Sequence, residues 1–455
     1  MELFGTAGIR GSAETRVTPE LVLDVARALG AHARESGDRE FVVGRDGRVT
    51  GPALSAAAEA GLESAGADVR RVGRVPTPAL AFASRGRRGL MLTASHNPPM
   101  DNGVKAFVDG VEYGEAAERA VEERVVADGS PAGWDEWGDG AREGVLDAYR
   151  AAVVEYAAGY GADPEGVRVA VDCGNGVAAA ATPQVLRESG ADVVTLNATV
   201  DGHFPGRESK PTAESLADLR TFVRDGDADF GVGHDGDGDR IVVVDGDGEV
   251  VHEDTVLAVL AERYVRASDA ADPVVVTTPN ASGRIDERVE AADGRVERVA
   301  LGYLHDGIAA ARAGGGDVTF AAEPWKHVHT GFGDWIDAVV SAAVLVRLVA
   351  DEGLDGLRGP VAERPYRKVS VDCPDNAKAA TMERLGEALP AAFPEATVDD
   401  EYGVRLTLPD ASWTLVRPSG TEPYVRVYAE HDDVEPFVEE VADVVETAVE
   451  AVSAR

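Results

Sequence analysis

Phe230-Gly231-Val232-Gly233-His234-Asp235-Gly236-Asp237-Gly238-Asp239-Arg240-Ile241-Val242-Val243-Val244 sets three aspartates, alternating with glycines, between two apolar runs. Asp229–Gly233 reads as a strand aimed at the aspartates, and Ile241–Val244 as a strand leaving them. Glycine lets the backbone turn tightly, so three carboxylates can converge on one cation. Oxygen ligands of this kind suit Mg²⁺ or Ca²⁺. A calcium loop of the EF-hand type needs a later glutamate, but Gly246 stands there, and strands rather than helices flank the aspartates. That leaves Mg²⁺ held by a few carboxylates and completed by a phosphate oxygen, with a plain acidic turn as the alternative.

The surrounding chain alternates short β-branched runs with helical patterns, which points to α/β layers with parallel strands. Arg168–Val171 and Asp192–Leu196 read as strands, with helices over 177–189 and 213–225. Upstream, Thr18 caps a helix with Pro19 in its first position and Leu21, Val22, Val25 and Leu29 on one face. Phe41-Val42-Val43 is a buried strand ending at Gly44-Arg45-Asp46-Gly47-Arg48, and Leu90–Leu92 is another. Downstream, Val274–Thr277 and Val318–Ala321 are strands, and a helix starts near Trp335. The last hundred residues group four strands (Arg367–Val371, Val404–Leu406, Trp413–Val416 and Tyr424–Tyr428) with a closing helix over 434–452, which suggests a smaller α+β domain. The stretches 127–144 and 313–317 read as surface loops. The domain boundaries follow as 1–145, 146–248, 249–360 and 361–455, each holding one of the motifs below.

Ser95 lies in Thr93-Ala94-Ser95-His96-Asn97-Pro98, directly after the strand Leu90–Leu92. The strand delivers a hydroxyl to a polar loop, and Asn-Pro-Pro stops any helix from following. Arg417-Pro418-Ser419-Gly420-Thr421 also follows a strand, and its hydroxyls and backbone N–H groups form an anion-binding concavity to which Arg417 and Arg426 add forked donors. A hydroxyl nucleophile, a metal cage and a phosphate cradle together suggest phosphoryl transfer through Ser95. Glu323-Pro324-Trp325-Lys326-His327 combines a carboxylate, a ring and cations. Carboxylates accept bonds from sugar hydroxyls and rings stack on sugar faces, although Trp325 could equally be core and His327 a structural residue.

The chain has 455 residues, 44% of them apolar, and a formal net charge of −37 spread along its length. Five lysines, at 105, 210, 326, 368 and 378, leave arginine to carry nearly all the positive charge. Nucleic acid is excluded as a partner, since a phosphate backbone needs a basic face. Cys173 and Cys373 suggest neither a disulfide framework nor a metal site. No signal peptide and no membrane-spanning apolar run is found, so a cytoplasmic protein is expected. The acidic surface fits an organism with a high-salt cytoplasm.

These motifs resemble those of the α-D-phosphohexomutase family. The family's phosphoserine loop Thr-Ala-Ser-His-Asn-Pro stands at 93–98, its metal loop Asp-Gly-Asp-x-Asp-Arg at 235–240 and its phosphate loop Arg-Pro-Ser-Gly-Thr-Glu-Pro at 417–423. Further matches are Phe4-Gly5-Thr6-x-Gly8-x-Arg10-Gly11, Val43-Gly44-Arg45-Asp46, Asn102-Gly103-x-Lys105 and Val171-Asp172-x-x-Asn175-Gly176, in family order. The resemblance implies three similar α/β domains with mixed sheets and a C-terminal α+β domain around a central cleft. It implies that Ser95 carries a phosphoryl group, one Mg²⁺ per chain sits on Asp235, Asp237, Asp239 and Ser95, and a hexose or hexosamine 1-phosphate interconverts with its 6-phosphate through a bisphosphate. It assigns Arg10, His96 and Lys105 to proton transfer and orientation. Arg240, Glu323, Trp325, Lys326 and His327 go to the sugar, and Arg417, Ser419, Gly420, Thr421 and Arg426 to the distal phosphate. The family's sugar loop is Gly-Glu-x-Ser-Gly-His. Here Ala322-Glu323-Pro324-Trp325-Lys326-His327 keeps Glu323 but replaces serine and glycine, which leaves the sugar open among glucose, mannose, glucosamine and N-acetylglucosamine phosphates. Pro205–Thr212 is more similar to archaeal members. A monomer or weak homo-oligomer is expected.

Two rivals remain: a metal-dependent sugar-phosphate phosphatase, and a non-enzymatic calcium- or sugar-binding module, which would need neither Ser95 nor Lys105. A kinase is excluded by the lack of a Gly-x-x-x-x-Gly-Lys-Ser/Thr loop.

One expectation follows from charge alone. With −37 charges the folded chain repels itself in dilute buffer, and added ions screen that repulsion. The melting temperature therefore rises as KCl is raised from low to molar concentration. A flat or falling melting curve would refute the high-salt reading.

Overall fold

The computed structural model describes residues 3–5, 8–127, 129–419 and 422–453. It is a mixed α/β structure whose chain divides into two compact units, residues 1–256 with 319–357, and residues 257–318 with 358–455. Among the described residues, the first unit holds a seven-stranded sheet whose main path runs Ile9–Ser12, Asp101–Val108, Arg88–Leu92, Glu40–Arg45, Asp68–Arg74 and Gly140–Arg142. Glu40–Arg45 pairs in parallel with both of its neighbours, whereas Asp101–Val108 pairs antiparallel. Parallel neighbours need crossover connections, and the helices Gly51–Ser64 and Thr77–Ala83 supply them. The strand Arg88–Leu92 lies centrally and is buried along all five residues, which fixes the point where Ser95 emerges.

The helix expected behind Thr18 is present as Pro19–Glu35. Thr18 Oγ1 accepts from Leu21 N at 3.4 Å, and Val22, Val25 and Leu29 are buried. It packs on helix Gly51–Ser64 at unusually short range. A Cβ on Gly61 would stand 2.4 Å from the Leu23 carbonyl oxygen and 2.9 Å from the Ala26 Cβ.

A four-stranded sheet in the same unit runs Ile241–Val244, Phe230–His234, Arg168–Asp172 and Asp192–Leu196. These are the strands read from the sequence, to within one residue at each end. The helix expected over 177–189 is instead a 3₁₀ turn, Val177–Ala180, followed by a helix, Thr182–Glu188. Val177 N donates to Gly236 O at 3.1 Å, which ties the first part to the aspartate loop, and Pro183 opens the second because its missing N–H is harmless there. The helix expected from 213 begins at Ala217. Thr212 and Ser215 form a turn before it, each side chain accepting from the other's backbone N–H. The expected loop 127–144 contains a short strand, Gly140–Arg142, paired in parallel with Asp68–Arg74. Near Trp335 the helix starts at Ala338, because Asp337 accepts from Val339 N and Val340 N and so caps it.

In the second unit, Pro273–Thr277 and Arg295–Arg298 pair in parallel. Its five-stranded antiparallel sheet runs Tyr366–Asp372, Tyr424–Glu430, Trp413–Pro418, Val404–Thr407 and Thr397–Asp399. The helices Asp375–Ala392 and Val434–Ser453 share an apolar core with this sheet, as expected of an α+β arrangement. Among the described residues no helix is long and apolar enough to cross a membrane.

Gly61→Ala tests the helix contact, because two effects oppose each other there. Alanine gains about 1 kcal/mol of helix propensity, but a Cβ within 2.4 Å of a backbone oxygen forces the helices apart. The clash costs about 1–3 kcal/mol and outweighs that gain, so thermal melting should show a net loss of up to about 2 kcal/mol. A variant more stable than wild type would contradict this packing.

Candidate active site

Ser95 adopts a left-handed backbone conformation, φ +51°, which costs a non-glycine residue about 1–2 kcal/mol. Several contacts hold it there. Ser95 N donates to Thr93 Oγ1 at 2.8 Å, and Ser209 Oγ donates to Ser95 O at 2.9 Å. Arg48, fully buried, contributes most. Its Nε donates to Asp46 Oδ2 at 2.9 Å, and its two Nη atoms donate to the carbonyls of Ser95, Asn97, Pro98 and Asp101 at 2.6–2.9 Å. All five guanidinium N–H groups are thus used, four of them on the carbonyls of one loop. Burial pushes the Asp46 carboxyl up to about 6, against the pull of Arg48.

Ser95 Oγ donates to Asp235 Oδ2 at 2.7 Å and lies 3.3 Å from His96 Nδ1. Asp235, Asp237 and Asp239 are buried, and ligand oxygens of all three lie within 4.8 Å of one another. Asp235 has both oxygens tied down, and Asp237 and Asp239 one each. Asp235 Oδ1 accepts from Gly238 N and Arg240 N, Asp237 Oδ2 from Thr77 Oγ1 at 2.7 Å, and Asp239 Oδ2 from Lys105 Nζ at 3.0 Å. Asp237 Oδ1 and Asp239 Oδ1 are buried with no hydrogen-bond partner among the described residues. The two loops nearly touch, since a Cβ on Gly236 would lie 2.8 Å from Ser95 O and 2.7 Å from Ser209 Oγ.

The charges at this point pull the titratable groups in opposite directions. Burial, then Asp239 and Asp237, hold the Asp235 carboxyl well above the usual range. Asp239 goes the other way, because Lys105, Lys326 and Arg240 outweigh its burial. Burial weakens the positive charge of Lys105, but Glu112 at 3.3 Å, Asp239 and Asp237 more than offset it and raise its pKa. Burial, helped by Arg240 and Arg10, drops His96 to about 3, so its ring is neutral. Two unpartnered buried carboxylate oxygens beside a third, with a serine hydroxyl among them, make a donor set that fits a small divalent cation.

Arg10 reaches this group through its charge, which acts on both His96 and Lys105. Arg240 lies against the aspartates, its Nε 3.8 Å from Asp235 Oδ2. Glu323 and Lys326 face each other across a hairpin, 3.8 Å apart, and the Lys326 charge acts on Asp239 and His96. Two expected sugar contacts are placed differently. His327 is 1% exposed, with Nδ1 2.9 Å from Ser341 Oγ and the ring against Phe320 and His329, and burial lowers it to about 3. Trp325 packs against the apolar cluster that includes Leu219, Val223, Val242 and Val244.

The residues expected to form a phosphate cradle belong to the second unit. Arg417 and Arg426 stand directly opposite each other on paired strands. Two like charges at that spacing are unfavourable unless an anion joins them. Arg417 Nη2 donates to Tyr428 OH at 3.3 Å and Arg426 Nη2 to Tyr424 OH at 2.9 Å, while the Nε atoms of both arginines are buried without partners among the described residues. Burial alone would raise the Tyr428 hydroxyl, but Arg417, Arg426 and Lys368 bring it below its usual value. Ser419 is described; Gly420 and Thr421 lie outside the described residues.

Sequence reasoning missed Arg48, Thr77, Glu112, Ser209, Tyr428 and Lys378. Lys378 Nζ donates to the carbonyls of Ser419 and Glu422 at 2.6 Å each and pairs with Asp375. Scarcity offered a signal for Lys378, one of five lysines in the chain.

Three family models match the chain: phosphoglucomutase/phosphomannomutase alpha/beta/alpha domain I over residues 1–131, domain II over 147–248, and the C-terminal domain over 369–447. A phosphopentomutase of Thermococcus kodakarensis is 42% identical over 94% of both chains. A probable phosphoglucosamine mutase of Methanopyrus kandleri is 40% identical over 99% of both. Among solved structures, a phosphoglucomutase/phosphomannomutase family protein of Burkholderia thailandensis aligns over 99% of this chain and 97% of its own, with a TM-score of 0.87 and 26% identity.

Thr77 offers a test of the aspartate loop that leaves its charges intact. Thr77→Val keeps the side-chain volume, and the backbone bond from Thr77 N to Asp237 O remains available, but the donor to Asp237 Oδ2 is lost. Loss of such an orienting bond typically weakens metal binding tenfold or more, about 10–100-fold. Calorimetric Mg²⁺ titration should show that drop. Equal affinity in wild type and variant would mean Asp237 is not a ligand.

Proposed function

The chain belongs to the phosphoglucomutase/phosphomannomutase family, and we propose that it interconverts the 1-phosphate and 6-phosphate of a hexose or hexosamine through a phosphoryl group carried on Ser95. Its relatives are mutases, so it is an enzyme of the intramolecular phosphotransferase class, and the binding-module reading falls away. One observation carries the proposal. The Ser95 hydroxyl is held by strained, heavily bonded backbone 2.7 Å from a carboxylate of a buried aspartate triad.

In this reading the phosphoryl group on Ser95 passes to the free hydroxyl of the bound sugar phosphate, which gives a bisphosphate. The sugar's original phosphoryl group then returns to the Ser95 oxygen, and the isomeric monophosphate leaves. A Mg²⁺ held by Asp235, Asp237 Oδ1 and Asp239 Oδ1 would neutralise charge on the transferring group. Asp235 Oδ2 accepts the Ser95 proton's hydrogen bond and orients the oxygen. Lys105, kept charged by Glu112 and Asp239, supplies a fixed positive charge beside it. Neutral His96 and charged Arg10 assist proton movement and orientation. Glu323 and Lys326 contact the sugar, and Arg417, Arg426 and Ser419 hold the phosphate that is not reacting, so that remote binding energy orients each half-reaction.

A second substrate reading takes a pentose phosphate, because the relative that is 42% identical carries the name phosphopentomutase. A cytoplasmic, salt-adapted enzyme, monomeric or weakly self-associating, divided at residues 145, 248 and 360 into four domains, completes the proposal.

Ser95→Ala should lose nearly all mutase turnover while keeping its fold by circular dichroism, and intact-mass spectra of active wild type should show a fraction heavier by one phosphoryl group. Coupled assays with glucose, mannose, glucosamine and ribose 1-phosphates rank the substrates. Full turnover in Ser95→Ala would end the phosphoserine reading. Release of inorganic phosphate without isomerisation would favour a phosphatase.

A further inference from the structure

The strands Asp317–Glu323 and Lys326–Val328 pair antiparallel with Glu323 opposite Lys326, which leaves Pro324 and Trp325 as a two-residue turn. Proline fixes a negative φ at the first turn position, and Trp325 takes φ +69° at the second. That pattern belongs to a type II turn, whose second central residue is ordinarily glycine. A tryptophan there is strained, so something must hold it.

Two contacts do so, and both lead to the aspartate loop. Trp325 O accepts from Ile241 N at 3.1 Å, and Ile241 directly follows Arg240. The side chain packs on the apolar cluster that includes Val242 and Val244 of the strand leaving the loop and Leu219 and Val223 of the helix behind it. The turn is thereby attached by backbone and by ring to the strand that carries the aspartates. On either side of it stand Glu323 and Lys326, 3.8 Å apart and each about one-sixth exposed.

We infer that Trp325 is a positioning residue: seated on the Leu219–Val242 cluster and bonded to Ile241, it fixes Glu323 and Lys326 relative to the aspartate loop. It is not a platform on which the sugar stacks. The inference rests on the mutase reading for what Glu323 and Lys326 recognise. The anchor itself rests on the packing alone.

The test compares Trp325→Gly, which relaxes the turn but removes the ring, with Trp325→Phe, which keeps a ring. Glucose 1-phosphate, glucosamine 1-phosphate and ribose 1-phosphate serve as probes. In Trp325→Gly the KM for the best probe should rise about 10–100-fold with a smaller change in kcat, and discrimination among the three should shrink. Trp325→Phe should recover most of both. In wild type, the Trp325 indole N–H resonance, assigned by its loss in Trp325→Phe, should not move on saturation with the best probe. A large shift of that resonance would identify a stacking platform and overturn the inference. So would wild-type KM and discrimination in Trp325→Gly. If wild type turns over none of the probes, the mutase reading fails by itself. The anchor is then judged by melting temperature, which must fall in Trp325→Gly despite the relaxed turn; an equal or higher value would overturn it.

Discussion

Three carboxylates buried within 4.8 Å of one another dictate what surrounds them. Three like charges held that close in a poorly solvated place repel strongly, and each needs a donor or a counter-charge. Thr77, Lys105 and the backbone N–H groups of Gly238 and Arg240 take some of the oxygens, and Ser95 takes one more. Two oxygens are left without a hydrogen-bond partner among the described residues. The protein's own cations do not complete the set, because Lys105 is shared with Glu112 and the Arg240 Nε stays 3.8 Å away. A divalent cation would offset that repulsion, and the Ser95 hydroxyl stands among the oxygens that would hold it.

The serine is held with equal care but by different means. Its left-handed backbone would relax if the loop were free. Arg48 prevents that by bonding four carbonyls between Ser95 and Asp101 at once, which ties the Asn-Pro-Pro segment to a buried guanidinium. A lysine could not replace it, since one ammonium has three protons at a single point, whereas a planar fork reaches acceptors spread along a chain. Asp46 then fixes the guanidinium, and Thr93 bonds both Asp46 and Ser95 N. Strain at Ser95 is thus balanced by a network that begins at the strand Glu40–Arg45.

Local pattern made much of this legible. Strands of the second sheet announce themselves by β-branched runs, and the helix Pro19–Glu35 by its Thr-Pro start. The three loops stood out because their residue types are rare together. What stayed hidden works at a distance: Thr77 meets Asp237 across 160 residues, Ser209 meets Ser95 across 114, and Arg48 meets Ser95 across 47. No periodicity reaches that far. The sequence left His327 and Trp325 open between sugar and core for the opposite reason. Their chemistry suits a sugar, but which side of a two-residue hairpin meets the core is decided by the sheet it packs on, and the sequence of the hairpin does not contain that sheet.

The distribution of lysine ties both units to the same physical logic. Arginine carries nearly all the positive charge of this acidic chain, yet four of its five lysines lie at the two candidate sites. Lys105 and Lys326 act on the aspartate loop, while Lys368 lies over the Tyr428 ring and Lys378 bonds the phosphate loop. Lys378 meets Asp375 and the carbonyls of Ser419 and Glu422; Lys105 meets Asp239, Glu112 and Asp237. In each case one compact ammonium has three acceptors gathered around it, which suits three protons at one point. Guanidinium serves where acceptors are spread along a strand or a loop, as at Arg48. At Lys105 and Lys378 the cation therefore suits the geometry of its acceptors, which converge on one point.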